Sequence, residues 1–410
     1  MTYRKKCMCC NSKNIAVFLD LKNQPNGNYF PTKLNLKKVS QYPLKMLVCK
    51  NCWLIQIDKF PSQKILFTNH NYISGDNIPV LDHFSRFSND LIKKYSLNKE
   101  SLVLDIGCND GSLLNCFKKN KVNVIGFDPS TKTNKLIKNK NIKIIKRFWN
   151  KKNSNYFNNK KKPDIITSTA SFYHIPDLHD FINGLKNAMH RDSIFAFQAV
   201  YALDIIKKNQ FDHFYHEHSC IYSIHALKKL FNLHKMKIIF AKQDPIHGGS
   251  IIVHVALKET KRKINKKSVK NLLEKEKAIK INKFKTYTDF RKRIEINKTK
   301  LMKILNKLIE NKKIIYGVGA PVKASTLMNF FGINNKHIKL ITEVNKLKIN
   351  KYTPITNIKI VNEKQLIDGP DYYFIFAWNF KEYFIKKFNK FLSKGGKLII
   401  PCPKPKIITK

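Results

Sequence analysis

The sequence has few acidic residues and very few arginines. Asp and Glu account for 28 of the 410 residues, whereas Lys and Arg account for 78, so the formal net charge is +50. Arginine occurs at only seven positions: Arg4, Arg86, Arg147, Arg191, Arg262, Arg291 and Arg293. Proteins that read phosphates or base edges favour arginine, because its planar guanidinium binds bidentately. We therefore do not expect a nucleic-acid partner, and we interpret the lysine excess as a composition bias that still favours an anionic small substrate.

Long apolar runs are also missing. No stretch of about eighteen consecutive apolar residues occurs, and no signal-peptide pattern precedes the first cysteines. The sequence therefore predicts a soluble, cytoplasmic protein without a membrane partner. A hydrophobic content of 43% over 410 residues is sufficient for two or three domains, each with its own core.

Four of the nine cysteines form two Cys-x2-Cys pairs, Cys7 with Cys10 and Cys49 with Cys52. Two thiolate pairs satisfy a tetrahedral zinc ion and leave no coordination position open, which is typical of a structural site. The 38 residues between the pairs exceed the usual zinc-ribbon spacing, and Cys9 leaves the register of the first pair ambiguous. Buried cysteines without a metal are the alternative interpretation.

The pattern changes after Ser101 to short buried-strand runs separated by helical stretches, which predicts a doubly wound α/β sheet. The lysine-rich residues 258–312 have apolar residues at helical spacing and predict one or two amphipathic helices. The strand and helix rhythm then returns and predicts a second Rossmann-like unit. We expect an N-terminal zinc-binding module (1–68), a central domain (69–255), and a helical linker with a C-terminal domain (256–410).

The stretch "LDIGCNDGSLL" places Asp105, Gly107 and Gly111 between a strand and a helix, where glycines let a ligand approach the backbone. It departs from the dinucleotide fingerprint G-x-G-x-x-G, because Asn109 and Ser112 occupy the second and third glycine positions. It is similar to motif I of class I methyltransferases, which bind S-adenosylmethionine. An ordinary glycine-containing turn is the alternative.

A carboxylate supports this interpretation. Asp128, followed by Pro129, closes the next predicted strand about twenty residues further on, where its oxygens can accept hydrogen bonds from both ribose hydroxyls. We therefore predict that six residues bind the cofactor: Asp105, Gly107, Asn109, Gly111, Asp128 and Pro129.

The stretch "FDHFYHEHSCIY" contains three histidines, and its last histidine, His218, follows Glu217. A histidine beside a carboxylate suits general-base chemistry near neutral pH, because the unperturbed imidazole pKa is about 6.5. Scattered structural histidines are the alternative. A zinc site is disfavoured because the HExxH spacing is missing.

The sequence resembles the deoxysugar C-methyltransferases that act on nucleotide-linked keto-sugars. The resemblance extends along nearly the whole chain through the cysteine pairs, "VLDIGCNDGSLL", "HIPDL", "FDHFYHEHSCIYS", "IHGGS", "GVGAPVKASTLMN", "PITNIKI" and "AWNF". It implies a zinc-binding module, an S-adenosylmethionine domain and a C-terminal domain that helps to hold the nucleotide sugar.

The resemblance also implies roles for individual residues. His218 would be the base, with Glu217 orienting the imidazole or binding the sugar. Tyr215 and Tyr72 would donate hydrogen bonds to the enolate oxygen, and His174 matches a family histidine.

On the nucleotide-sugar side, the backbone from Tyr316 can cradle phosphate. The substrate-binding candidates are Gly317, Gly319, Lys323, Glu343 and His247, although His247 suits packing equally well. The family's glycine after the lysine is missing from "GAPVKAS", and "TPITNIKI" replaces its "PGT". The sugar therefore stays open.

Two other functions are possible. The first is methylation of an oxygen or nitrogen of another small metabolite, which would not need a carbon base. The second is an RNA methyltransferase with a zinc ribbon, against which the scarcity of arginine argues. The methylated carbon, the nucleotide and the oligomeric state are not determined by the sequence.

Overall fold

The computed structural model describes residues 2–68, 72–137, 141–365 and 369–410. Its N-terminal module consists of short antiparallel strands: β1 (Thr2–Tyr3), β2 (Ile15–Pro25), β3 (Gln41–Cys49), β4 (Ile55–Ile57) and β5 (Lys59–Phe60). Strands β2, β3 and β4 pair in sequence order, and β1 pairs with β5. The second cysteine pair therefore lies in the turn between β3 and β4, which is closed by a hydrogen bond from Trp53 N to Cys49 O of 2.8 Å.

The central part contains the largest sheet. Its elements are α1 (Gln63–Phe67), α2 (Ile78–Tyr95), β6 (Leu102–Ile106), α3 (Ser112–Lys119), β7 (Asn123–Phe127), β8 (Lys143–Ile145), α4 (Lys151–Ser154), β9 (Ile165–Thr169), α5 (Leu178–Ala188), β10 (Ile194–Val200), α6 (Ala202–Lys207), β11 (Cys220–Ile221), α7 (Ile224–Leu233), β12 (Met236–Asp244) and β13 (Ser250–Leu257).

Seven strands form this sheet in the order β12-β13-β10-β9-β6-β7-β8. Strands β10, β9, β6, β7 and β8 are parallel, whereas β13 is antiparallel to both neighbours. Every residue of β9 and β10 is buried, as expected where helices cover both faces of a parallel sheet. The predicted doubly wound fold is confirmed, and its strand order reverses at β6, which opens a crevice at the carboxyl end of that strand.

Local sequence signals fix the ends of the helix α2 above this crevice. The Asn77 side chain accepts a hydrogen bond from Val80 N at 3.3 Å, and Pro79 occupies the first turn, where its missing N–H costs nothing. The helix ends at Ser96, whose φ of 53° is left-handed. Phe84 and Phe87 then face the core on the buried side.

The C-terminal part begins with two helices where the lysine-rich stretch predicts them. The elements are α8 (Lys266–Ala278), α9 (Phe284–Glu310), β14 (Ile315–Val318), α10 (Val322–Phe331), β15 (Leu340–Glu343), β16 (Lys359–Asn362), β17 (Tyr372–Ile375), α11 (Lys381–Lys387), α12 (Asn389–Ser393), β18 (Lys397–Ile400) and β19 (Lys406–Ile408). The sheet order is β16-β15-β14-β17-β18-β19, and all strands except β19 are parallel. The predicted second Rossmann-like unit is therefore present.

The three parts meet at the histidine segment, which we define as residues 211–218. Strand β11, directly after this segment, pairs with β4 and becomes the edge strand of the N-terminal sheet. The bridge between Tyr201 and Tyr222 ties the same region to the central part. None of the helices among the described residues combines the length and apolar character needed to cross a membrane.

Candidate active site

A cavity lies at the carboxyl end of β6, at the crevice defined by the strand order. Its walls include Phe84, Ile106, Phe127 and Trp149, and its polar lining includes residues of both predicted functional sets. Those predicted residues are Tyr72, Gly107, Asn109, Asp128, Pro129, His174 and His247. One cavity therefore brings together four of the six cofactor candidates with two of the five catalytic candidates, Tyr72 and His174.

The cofactor end of the cavity is held by Asp128 and Asn109. Asp128 accepts hydrogen bonds from Asn109 N at 2.9 Å and from Ser130 N at 2.8 Å. These two backbone donors fix the orientation of the Asp128 carboxylate in the lining of the cavity. The Asn109 side chain links the loop to a neighbouring segment, donating to Tyr72 O at 3.0 Å and accepting from Ser74 N at 3.0 Å.

Gly107 lies where a side chain would not fit. Its φ is +78°, and a Cβ atom placed on it would overlap Ser171 Oγ. Such a bare backbone beside apolar walls and a carboxylate fits S-adenosylmethionine, which has a ribose, a flat base and a charged sulfonium.

Two predicted cofactor residues lie outside the lining of the cavity. Asp105 is buried beneath it and accepts a hydrogen bond from Thr167 Oγ1 at 2.8 Å. Burial raises the pKa of Asp105 to about 7, and the nearby charge of Asp128 acts in the same direction. Gly111, with φ +75°, precedes helix α3 and shapes the turn. In the structure, Asp105 and Gly111 therefore support the loop and do not line the cavity.

The ring of His218 lies within a cluster of aromatic side chains next to the cavity. Its centroid is 3.9 Å from Tyr215, 4.6 Å from Tyr173 and 5.2 Å from His174, and the His174 ring is nearly parallel to it. His218 itself is buried, and its Nδ1 atom has no hydrogen-bond partner among the residues that the structure describes. Burial lowers the pKa of His218 well below 6.5, and His213 nearby lowers it further.

The tyrosines of this cluster are held in their protonated form. Burial raises the pKa of Tyr72 above its usual value of 10.0, as does the charge of Asp110. Burial also raises the pKa of Tyr215 well above 10.0, with Glu217, Tyr173 and Tyr72 contributing in the same direction. Because a protonated phenol is a hydrogen-bond donor, these side chains suit an oxygen that gains negative charge.

The N-terminal module contributes directly to the histidine segment. Asn28, in the turn after β2, donates from Nδ2 to Glu217 Oε1 at 2.6 Å. His216 points the other way, with Nε2 3.1 Å from Pro43 O and its ring against Tyr42. A turn, closed by a hydrogen bond from His218 N to Tyr215 O of 2.9 Å, places His216 against the zinc-binding module and His218 in the ring cluster.

The predicted nucleotide-sugar residues are dispersed in the C-terminal part. Gly317 lies inside β14, where a Cβ atom would meet Phe376 at 2.7 Å, so close packing accounts for it. Gly319 has φ +76° and follows β14 at the point where the strand order reverses. Glu343 accepts from Ala320 N at 2.8 Å and therefore braces the same loop.

Lys323 and His247 lie nearer to the histidine segment. The Lys323 ammonium is buried, donates to Asn379 Oδ1 at 2.7 Å and lies 3.6 Å from Asp212 Oδ2. His247 has a left-handed φ of 58° and lines the cavity, and burial lowers its pKa to about 4.

The four predicted zinc ligands meet in the N-terminal module. The sulfur atoms of Cys7, Cys10, Cys49 and Cys52 all lie within 4.8 Å of one another. Cys9 is not part of this group, and its thiol points to Ala226 O at 3.7 Å. The ambiguity of the first pair is thereby resolved, because four thiolates at this spacing fit a closed tetrahedral zinc site.

Three residues at the site are not predicted from the sequence. Asn28 belongs to no motif, and only the fold brings it to Glu217. Asp212 lies inside the quoted histidine-rich stretch. Its position directly after an aromatic residue is the one sequence signal that could have identified it. Trp378 suits simple packing by its sequence context, yet its indole N–H donates to Asp212 Oδ2 at 2.6 Å.

Comparisons with known proteins match successive segments of the chain. Three family models match it: "Putative zinc binding domain" at residues 7–67, "Methyltransferase domain" at 81–235, and "C-methyltransferase C-terminal domain" at 245–403. C-methyltransferase NovU of Streptomyces niveus is 27% identical over 370 residues, which cover 90% of this chain and 88% of NovU.

Two solved methyltransferases are similar to part of the chain. An S-adenosylmethionine-dependent methyltransferase from Anabaena variabilis is 13% identical, covering 44% of this chain and 96% of its own, with a TM-score of 0.33. Magnesium protoporphyrin IX methyltransferase from Synechocystis is 14% identical, covering 43% of this chain and 79% of its own, with a TM-score of 0.33.

Proposed function

We propose that this chain, a methyltransferase with a zinc-binding module and a C-methyltransferase C-terminal domain, methylates the carbon next to the ketone of a nucleotide-linked keto-deoxysugar. S-adenosylmethionine is its cofactor, and four cysteines hold a structural zinc ion. The family matches and the four-cysteine cluster support the enzyme class and both bound groups. The acceptor and the mechanism are the proposed part.

One observation carries the choice of carbon as the acceptor. The buried ring of His218 touches Tyr215 and His174, and His174 lines the same cavity as the cofactor candidates Asn109 and Asp128. An oxygen or nitrogen acceptor already has a lone pair for the attack, so a base there would only take up the proton released by the transfer. Transfer to carbon needs the base, because the carbon must first lose a proton.

The residues of the ring cluster suit removal of a proton beside a ketone. Neutral His218 takes the proton from carbon, the electron pair of the broken C–H bond forms a carbon–carbon double bond, and the π electrons of the carbonyl move onto oxygen to give the enolate. Tyr72 and Tyr215 donate hydrogen bonds to that oxygen and stabilise its developing charge. Glu217, held by Asn28, orients the imidazole or binds the sugar.

When bound, S-adenosylmethionine supplies an electrophilic methyl group. Asp128 and Asn109 would hold its ribose end, and the turn at Gly107 would allow close approach to the backbone. The apolar walls of the cavity exclude water, so the enolate is not quenched by a solvent proton.

We propose that the nucleotide lies on the side of the C-terminal part. The high lysine content favours an anionic ligand. Gly317, Gly319, Glu343, His247 and Lys323 stay predictions for this role, which rests on the family resemblance.

The test is to locate the transferred methyl group. The protein is incubated with S-adenosylmethionine labelled with ¹³C in the methyl group and with a nucleotide-linked 4-keto-6-deoxy sugar, and the product is examined by NMR. A new methyl carbon coupled to a ring carbon is expected. A methyl carbon on oxygen or nitrogen would contradict the proposal and favour the other acceptor class.

The matched variant is His218→Asn, which keeps a polar side chain but cannot act as a base. We expect transfer to fall by at least about 100-fold, the lower end of the usual contribution of a general base. Cofactor affinity, measured by calorimetry, should stay within about twofold, since His218 lies outside the lining of the cavity.

A further inference from the structure

Helix α10 of the C-terminal part lies against the histidine segment. Phe211 stacks on Phe331 with ring centroids 4.9 Å apart, and it also contacts Phe330. Thr326 donates its hydroxyl to Phe214 O at 3.0 Å, and this bond is buried. One face of the helix thus holds the first half of the segment by both packing and hydrogen bonding.

Lys323 lies one helical turn before Thr326 and brings a charge to the same contact. Its ammonium is 3.6 Å from Asp212 Oδ2 and 4.1 Å from the centroid of the Trp378 ring. The Trp378 indole donates to the same Asp212 oxygen at 2.6 Å, and Asn379 accepts from Lys323 at 2.7 Å. The side chains of Lys323 and Asp212 are 10% and 1% exposed, so solvent does not screen the pair.

The buried carboxylate of Asp212 depends strongly on its ion pair with Lys323. Asp212 Oδ1 is buried and has no hydrogen-bond partner among the described residues. In the part of the chain that the structure describes, Lys323 is the cation beside this carboxylate, and the Trp378 indole and the Asp212 backbone amide donate hydrogen bonds to it. Removing one partner of a buried pair leaves an uncompensated charge, which is far more damaging than removing both.

We infer that Lys323 is a positioning residue of the catalytic site, which holds the histidine segment in place through its ion pair with Asp212. The role assigned to His218 in this inference rests on the proposed function. This positioning role differs from the predicted contact with a pyrophosphate. A lysine that binds phosphate has to present its ammonium to the substrate. Here the ammonium is turned into the protein and already engaged.

Hydrogen exchange measured by mass spectrometry tests the contact without substrate. In the Lys323→Met variant we expect the amides of residues 211–218 to exchange at least about tenfold faster, because the buried carboxylate loses its cation and the segment opens locally. The double variant Asp212→Asn, Lys323→Met should exchange more slowly than Lys323→Met alone. Unchanged exchange in Lys323→Met would overturn the inference.

The matched control is Lys313→Met. Lys313 pairs with Asp371 at 3.0 Å in the same domain, but both side chains are substantially exposed. Surface pairs contribute little, so exchange of the histidine segment should not change. If Lys323→Met does not fold, Asp212→Asn replaces it, and faster exchange of the same amides is again expected.

Kinetics separate positioning from phosphate binding. A positioning role predicts that kcat for Lys323→Met falls about 100-fold, the effect of misplacing a reacting group by about 1 Å, while KM for the nucleotide sugar changes little. A raised KM with unchanged kcat would instead support a phosphate ligand and overturn the inference. Because the exchange experiment uses no sugar, failure of the proposed substrate would leave that result interpretable.

Discussion

Gly107 is a residue of the cofactor site at which even a methyl group does not fit. Replacing it by alanine forces a side chain into a left-handed φ, which costs about 1–2 kcal/mol. It also places a methyl group against Ser171 Oγ, in the lining of the cavity. We expect Gly107→Ala to weaken binding of S-adenosylmethionine by at least about tenfold, measured by calorimetry.

A second glycine provides the control. Gly395 also has a left-handed φ, +87°, but no atom lies within 4 Å of the position that its Cβ would take. Gly395→Ala should therefore lower the thermal unfolding temperature without weakening cofactor binding. Equal loss of affinity in both variants would show that backbone strain, and not the contact with the cavity, determines the effect.

The pH dependence of catalysis follows from the burial of His218. Its pKa is well below 6.5, so the folded protein keeps this imidazole neutral and able to accept a proton as the pH falls below 6.5. The neighbouring His213, His174, Tyr173 and Tyr215 add no negative charge that would oppose this at neutral pH. We expect the acidic limb of proton abstraction, followed by NMR between pH 5 and 8, to have its midpoint below 6.5. A midpoint at or above 6.5 would contradict this environment.

Residues that act through local geometry could be predicted from the sequence. The turn at Gly107 and the carboxylate of Asp128 follow from strand ends, and the structure places both at one cavity. The contact between Asn28 and Glu217 could not be predicted, because it joins residues 189 positions apart and depends on how the histidine segment packs against the N-terminal module.

The turn after β2 links the zinc-binding module to the histidine segment. Replacing Asn28 by leucine removes the donor to Glu217 while keeping a similar volume. We expect kcat to fall by about 10- to 100-fold, as is usual when a group that orients a functional side chain is lost. Steady-state kinetics of methyl transfer would measure this effect.

Asn35 in the same module is the control for this variant. It is partly buried, and its side chain bonds locally, with Nδ2 3.2 Å from Thr32 Oγ1. Asn35→Leu should leave kcat unchanged, whereas an equal loss in both variants would indicate a general effect on the module. Zinc content, measured alongside, should stay the same in both proteins.

Elements with strong periodicity were easier to predict than those that depend on distant partners. The helices α8 and α9 occur where apolar residues repeat at helical spacing between residues 258 and 312. Strand β11 has only two residues, Cys220 and Ile221, and exists because β4 offers it a free edge. No local pattern predicts a strand of this kind.

Zinc binding is expected to support the catalytic site across the whole molecule. Cys49 ends β3, and β3 pairs with β4, which in turn pairs with β11 beside His218. Cys49→Ser should release the zinc, lower the thermal unfolding temperature and lower methyl transfer together. Elemental analysis and thermal unfolding measure the first two effects.

Cys116 is the control for the loss of a thiol. It is partly buried in α3, outside the four-cysteine cluster, and donates to Ser112 O at 3.5 Å. Cys116→Ser should keep both the zinc and the activity. Full zinc content in Cys49→Ser would contradict the assignment of the ligands.

At the scale of the molecule, the order of the three parts was predictable but their interlocking was not. Motifs placed the zinc pairs, the cofactor loop and the second Rossmann-like unit in sequence order. The boundaries after residues 68 and 255 stay predictions, because β11 belongs to the N-terminal sheet although it follows β10 in the chain. The histidine segment is consequently held by all three parts.

Deuterium exchange tests the central claim most directly. The protein is incubated in heavy water with a nucleotide-linked 4-keto-6-deoxy sugar, first without and then with S-adenosylmethionine, and the sugar protons are followed by NMR. We predict loss of the proton next to the ketone without the cofactor, and no loss with His218→Asn. Exchange that persists in His218→Asn would contradict His218 as the base. If the unaltered protein neither exchanges this proton nor transfers a methyl group to any such sugar, the proposed acceptor is contradicted.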